Sequence, residues 1–254
     1  MRLNVQVIGN GPDIIILHGL FGSGDNWQSV AKQLSSSYRV HLPDLRNHGQ
    51  SPHSIEMSYP LMAADIKEYV EQEFLSHVVL VGHSLGGKTA MQFAADYPEF
   101  LEKLVVVDIA PKRYPDHHSS IINALLELDL TNTSSRSELD KRLSASISEL
   151  AVRQFLLKNL KRNDRSGFEW QMNIEGIQAN YDALMLAPEL RGTIPVPALF
   201  IYGQLSSYVS EDDKEMIKQY FPRVEFHSIK AGHWVHAERP DEFLDILTQF
   251  LYSK

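Results

Sequence analysis

The sequence has no cysteine. That excludes a disulfide framework, thiolate metal sites, iron–sulfur clusters and a cysteine nucleophile. It is also short of basic charge: 24 Lys and Arg stand against 32 Asp and Glu, for a formal net charge of −8. Nucleic-acid binders present a basic face to phosphate, so that partner is disfavoured. Long apolar runs are missing too. No stretch reaches the roughly 20 residues that a bilayer span needs. The N-terminal Met1-Arg2-Leu3-Asn4-Val5-Gln6-Val7-Ile8 alternates polar with apolar instead of carrying the apolar core of a secretory signal. The expectation is a cytoplasmic protein with no membrane span. Asn132-Thr133-Ser134 matches a glycosylation sequon, but nothing indicates secretion.

What is present is globular. The 254 residues, 43% hydrophobic and 22% charged, suffice for one large domain with a core that needs no staple. Short apolar runs fall at residues 14–17, 38–42, 78–81, 104–107, 198–202 and 224–229. Their β-branched, nearly uniform character predicts strands of a parallel sheet covered on both faces. Helical patterns lie between them, at about 26–35, 60–74, 85–96, 211–220 and 240–252. The alternation predicts an α/β fold with a doubly wound, mostly parallel sheet. From Pro111 to Pro195 no strand is predicted, only helices near 118–129, 136–146, 148–161 and 175–187. The expected organisation is a core of residues 1–110 and 195–254, with a helical cap of residues 111–194 inserted between sheet strands. Gly9-Asn10-Gly11-Pro12 precedes a strand and reads as a hairpin turn.

Gly82-His83-Ser84-Leu85-Gly86 follows the third run and precedes a helix. This is the strand–turn–helix context in which G-x-S-x-G presents a serine nucleophile. A residue on so sharp a turn needs small neighbours two positions away. Serine also needs a base. Among the 11 histidines, His233 lies in the loop after the last strand, which returns to the carboxyl edge of the sheet. His236 is a weaker rival, read as structural. His18-Gly19-Leu20-Phe21-Gly22 follows the first core strand and would bring the Leu20 N–H near Ser84. Leu20 and Leu85 are therefore the expected oxyanion donors. Residues 44–51 form a loop at another strand end, with Arg46 and His48 expected to hold backbone.

Together these stretches resemble the α/β-hydrolases of the YbfF-type esterase family over essentially the whole chain. The matching segments are His18–Gly22, Asp44–Gly49, Gly82-His83-Ser84-Leu85-Gly86-Gly87-Lys88, Asp108–Pro111 and Gly232–Glu238. The resemblance implies carboxylester hydrolysis, with acyl-CoA thioesters as a further class, and no cofactor. It also bears on the third catalytic residue. Most α/β-hydrolases take an acid from the loop after the fifth core strand, where this chain has Ser206. A serine supplies no charge to stabilise imidazolium. Asp108 ends the preceding strand, and the similar esterases place their acid there. Ser84, His233 and Asp108 are thus the expected triad. Glu211, Asp212 and Asp213 read as charge at a helix N-terminus.

Candidate substrate contacts are Phe21, Phe155, Tyr181, Tyr208 and Trp234, although apolar residues at helical spacing, such as Leu125, Leu128 and Leu156, read first as cap core. Arg153, Lys158 and Lys161 would suit a CoA phosphate but read first as a solvated face. No metal is expected, since His117-His118 lacks carboxylates in register. The expected partner is a small acyl ester or thioester. A serine-dependent carbon–carbon bond hydrolase or lyase remains an alternative, as does a non-catalytic receptor on the same fold.

Overall fold

The computed structural model describes residues 1–131, 133, 135–163 and 167–253, so Asn132 and Ser134 of the sequon lie outside the described residues. The strands are β1 (Val5–Ile8), β2 (Asp13–Leu17), β3 (Arg39–Pro43), β4 (Val78–His83), β5 (Leu101–Val107), β6 (Leu160–Arg162), β7 (Phe168–Trp170), β8 (Ala198–Gly203) and β9 (Val224–Ile229). Seven of them form one sheet in the order β1-β3-β2-β4-β5-β8-β9, parallel except for β1 against β3. This is the α/β fold expected from the alternation.

Each buried strand divides its side chains between two cores, as the pleat requires. Ile14 and Ile16 face one side with Val79, Val81, Val105 and Val107, against α1 (Gln28–Leu34) and α11 (Pro240–Tyr252). Ile15 and Leu17 face the other with Leu80, Leu104 and Val106, against α2 (Tyr59–Gln72) and α3 (Leu85–Asp96). The segment between β5 and β8 adds α4 (Ser119–Leu126), α5 (Arg136–Leu143), α6 (Leu150–Leu157), α7 (Ile174–Ala179) and α8 (Tyr181–Met185). Its buried residues, among them Leu125, Leu139, Leu156 and Ile177, belong to the same apolar cluster as α2 and α3. The segment is continuous with the core on that face.

Three expectations need correcting. The interval expected to lack strands contains β6 and β7, paired antiparallel with Leu160 opposite Trp170. Three-residue strands are too short to display a period, and this pair is held by tertiary packing of Leu160 and Phe168 and by a Lys161–Glu169 ion pair at 2.9 Å. The helix expected over 175–187 breaks at Asn180 into α7 and α8. The Gly9–Pro12 turn is not a hairpin, because β1 pairs with β3 and not with β2. A Cβ on Gly9, at φ +85°, would lie 2.4 Å from the Tyr38 carbonyl oxygen.

Two loops at the carboxyl edge of the sheet lock each other through histidines. His18 Nδ1–H donates to the Gly19 carbonyl at 2.8 Å, leaving Nε2 to accept the Leu45 N–H at 3.0 Å. His48 Nδ1–H donates to the Arg46 carbonyl at 2.9 Å, and its Nε2 accepts the Phe21 N–H at 3.1 Å. Arg46 pairs with Asp65 through two hydrogen bonds of 2.7 and 2.8 Å. The Asp44 carboxylate accepts from the N–H groups of Gly24 and Gln50, both at 2.8 Å.

Both acceptor roles require neutral imidazoles. Burial pushes His18 down to about 4 and His48 to about 3, from an ordinary 6.5. The unfolded chain takes up these protons near 6.5 while the folded chain refuses them, so stability is full above that pH and falls below it. Each group contributes a slope of up to about 1.4 kcal/mol per pH unit until its folded value is reached. Thermal melts followed by circular dichroism between pH 7.5 and 4.5 should therefore show a falling Tm below about pH 6.5. The fall should be shallower in His48→Gln.

Candidate active site

β4 runs directly into α3 through Ser84, whose backbone sits at φ 52° and ψ −115°. A non-glycine residue there is strained, by about 1–3 kcal/mol on general grounds. The flanking glycines make the turn possible. A Cβ on Gly82 would lie 2.2 Å from the Gly86 carbonyl oxygen, and one on Gly86 would lie 2.5 Å from that of Leu17. The Ser84 N–H donates to the Val107 carbonyl at 3.1 Å, which fixes the elbow to the end of β5. The Ser84 side chain is left half-exposed to a cavity.

Asp108 follows β5 with its side chain fully buried, and its backbone is also left-handed at φ 49°. Oδ2 accepts His233 Nδ1–H at 2.7 Å and the Ser206 hydroxyl at 2.5 Å. Oδ1 accepts the Gly203 N–H at 2.9 Å. Three donors thus replace the water a buried carboxylate would lose. Ser206 does not bond the imidazole. It binds the carboxylate that orients the imidazole. With Nδ1 protonated, His233 presents Nε2 as a base. The His233 ring stacks on Tyr208, with centroids 4.0 Å apart and planes at 18°. Its loop is closed by Glu238, which accepts the Gly232 N–H at 2.8 Å.

Ser84 and His233 line one cavity of about 290 Å³. The Leu20 and Leu85 N–H groups have no acceptor among the described residues, and both residues border Ser84 in a smaller adjoining cavity of about 30 Å³. Phe21, Phe155, Tyr208 and Trp234 line the larger cavity. Tyr181 lines neither. It is buried behind His118, and its hydroxyl bonds Asp116 and the backbone of His117 and His118. Of the basic residues offered for a phosphate, Arg153 is buried against Asp140 at 2.9 Å and the Ile147 and Ser148 carbonyls, Lys161 pairs with Glu169, and Lys158 is exposed but lines neither cavity. Asp213 caps α9 (Glu211–Tyr220) and pairs with Lys112 at 2.6 Å, a helix-terminal role as expected.

The sequence reading missed several residues of the site. His83, the variable position of the motif, donates from Nε2 to the His233 carbonyl at 2.9 Å and so ties the base loop to the elbow. Trp27 stacks on His236 with centroids 3.9 Å apart, and both line the cavity. Burial pushes His236 down to about 3 and His83 well below 6.5. Lys88 is buried and donates to the carbonyls of Met185 and Leu186 at 3.3 and 2.6 Å, which fastens α3 to the end of α8. Burial brings its ammonium down to about 7. His83 and Lys88 had a signal in the Gly82–Lys88 segment, and His236, read as structural, had one in Gly232–Glu238; Trp27 had none.

The alpha/beta hydrolase fold family matches residues 12–240. The chain is 39% identical to the sn-1-specific diacylglycerol lipase ABHD11 of Mus musculus, over 94% of this chain and 81% of that one. It is 35% identical to esterase YbfF of Escherichia coli K12, over 99% of both. A solved structure of a marine microorganism esterase superposes with a TM-score of 0.95 at 41% identity, covering 98% of this chain and 99% of that one.

The hydrogen bonds around Asp108 generate a graded expectation. Asp108→Asn keeps the shape but cannot hold His233 in the required tautomer, and should lower kcat by roughly 10³–10⁴-fold. Ser206→Ala removes one of three donors and should cost roughly tenfold, the worth of one hydrogen bond to a charged group. Equal losses in the two variants, measured by steady-state ester hydrolysis, would contradict this division of labour.

Proposed function

The chain belongs to the alpha/beta-hydrolase family and is an esterase-type hydrolase, and from that premise we propose that it cleaves acyl esters through a Ser84–His233–Asp108 triad and an acyl-enzyme. The observation that carries this reading is the 2.7 Å bond from His233 Nδ1 to a buried Asp108 carboxylate, with Ser84 on a strained elbow facing the same cavity. Ser84 Oγ attacks the acyl carbon as His233 Nε2 takes its proton, and imidazolium forms against the Asp108 charge. The Leu20 and Leu85 N–H groups receive the developing oxyanion; the start of α3 adds its positive end. His233 then gives its proton to the leaving oxygen, and later activates the water that releases the acid.

Residues 111–194 act in this reading as a cap over the core formed by 1–110 and 195–254. The cap contributes Ile121, Val152 and Phe155 to the larger cavity. No Arg, Lys, Asp or Glu lines that cavity, which favours a neutral ester over the dicarboxylate of a carbon–carbon hydrolase. Acyl-CoA thioesters fit the same chemistry, but Arg153 and Lys161 are not free to anchor a phosphate. His233 lines the larger cavity alone, so the leaving alcohol belongs there and the acyl chain belongs in the smaller space.

Ser84→Ala should lower hydrolysis of 4-nitrophenyl butanoate by at least about 10⁴-fold, and a fluorophosphonate should add its mass to Ser84 in the wild type only. Retained turnover in the variant would sink the proposal. The smaller cavity holds the equivalent of two or three waters, at about 10–15 Å³ each. Acetyl to butanoyl esters should therefore be cleaved roughly tenfold or more faster, by kcat/KM, than decanoyl esters, since a longer chain must open the packing.

A further inference from the structure

His118, beside His117, lines both cavities next to Ser84, and the hydrogen bonds of its ring leave one nitrogen over. Its neighbours fix where its proton sits. The Tyr181 oxygen is 2.9 Å from Asp116 Oδ1 and 3.2 Å from His118 Nδ1. A phenol has one proton, and a carboxylate only accepts. Two oxygens at that distance require a proton between them, so Tyr181 donates to Asp116. The same oxygen accepts the His117 and His118 backbone N–H groups at 3.2 and 2.9 Å, so it turns only lone pairs towards His118, and Nδ1 at 3.2 Å meets them best with the ring proton on it. The other nitrogen, Nε2, is then a bare acceptor in a neutral ring.

Nothing among the described residues uses that acceptor. Among the described residues the side-chain atom that is fully buried and unpaired is His236 Nδ1. His118 Nε2, also without a partner, is therefore open to the space its ring lines. The ring is held edge-on to Phe21 at 5.9 Å and to Tyr181 at 6.0 Å, so its direction is set. Burial, followed by the nearby His233, pushes His118 down to about 4, which keeps the lone pair available at neutral pH. His118 and His233 line the same larger cavity, to which the leaving alcohol is assigned above. No charged side chain lines the larger cavity, so the matching donor is a neutral one.

Building on the esterase reading above, we infer that His118 Nε2 selects esters whose alcohol portion carries a free hydroxyl near the bond that breaks, by accepting that hydroxyl's proton in a hydrogen bond. His118 is a specificity residue in this role, and Tyr181 and Asp116 are the positioning residues that fix its tautomer.

The test compares kcat/KM for 2-hydroxyethyl butanoate and 2-methoxyethyl butanoate, which differ by a methyl cap on the hydroxyl. The wild type should prefer the hydroxyl ester by roughly tenfold, the worth of a hydrogen bond to an acceptor that the methoxy ester covers and leaves unpaired. His118→Phe keeps a ring but no acceptor, and the ratio should fall to about one. Asp116→Ala removes the acceptor of the Tyr181 proton, together with one acceptor of the His118 and Ser119 N–H groups, and lets that proton turn to His118 Nδ1. The ring proton then moves to Nε2, which becomes a donor, and the ratio should fall to one or below. A wild-type ratio near one overturns the inference, as does wild-type discrimination persisting in either variant. Ser84→Ala assayed alongside separates the two levels. Cleavage of both esters by Ser84→Ala defeats the catalytic reading, whereas Ser84-dependent cleavage without discrimination defeats the His118 role alone.

Discussion

A buried carboxylate with no Lys or Arg beside it is the constraint around which this site is arranged. An unpaired charge inside a protein is expensive, and Asp108 is fully buried. It is kept there by three donors: Gly203 at the end of β8, Ser206 in the loop after it, and His233 in the loop after β9. Each loop therefore has a reason to lie where it does. The carboxylate draws them together at the tips of β5, β8 and β9, and the Ser84 N–H bond to Val107 attaches the elbow to the same point. Moving the acid one strand earlier does not leave the usual position idle. Ser206 there satisfies the displaced charge, which explains how a residue unable to stabilise imidazolium can occupy that place.

The parts of this arrangement that were legible in the sequence are those with a local cause. Strands β2, β4, β5 and β8 are apolar runs because both faces are covered, and the elbow is visible because two glycines are forced by backbone contacts only a few residues apart in sequence or across one strand. Asp108 was reachable only through the family resemblance, since one aspartate at a strand end has no pattern of its own. What stayed hidden has a non-local cause. β6 and β7 exist because Leu160 and Phe168 are packed from elsewhere, and Tyr181 turns away from the cavity because Asp116 and two backbone N–H groups claim its hydroxyl. Periodicity marks Tyr181 as apolar-facing, which is correct, but does not say that the face is another side chain.

The histidines make the same point in electrostatic terms. Composition counts 11 of them and gives each the same ordinary titration. The fold sorts them by what their two nitrogens meet. His18 and His48 each donate to one carbonyl and accept one N–H, so they serve as neutral braces between the loops after β2 and β3. The Phe21 N–H that His48 holds adjoins Leu20, so the brace also determines where the Leu20 N–H can point. A histidine used this way is interchangeable with no charged residue, and its protonation would remove the acceptor on which the loop depends.

Around His233 the sorting has a chemical consequence. Burial lowers the proton affinity of His83, His118 and His236, and the charge of His233 lowers each of them further. In the proposed mechanism all three therefore remain neutral when His233 accepts the serine proton. Were any of them cationic, it would oppose the imidazolium that the buried Asp108 is placed to stabilise, at distances where ring centroids are as little as 4.6 Å apart and little water intervenes. Desolvation of the neighbours is thus part of how one carboxylate suffices. The apolar lining also keeps the surrounding imidazoles uncharged, so that in the proposed mechanism the proton taken from Ser84 goes to the one imidazole paired with a carboxylate.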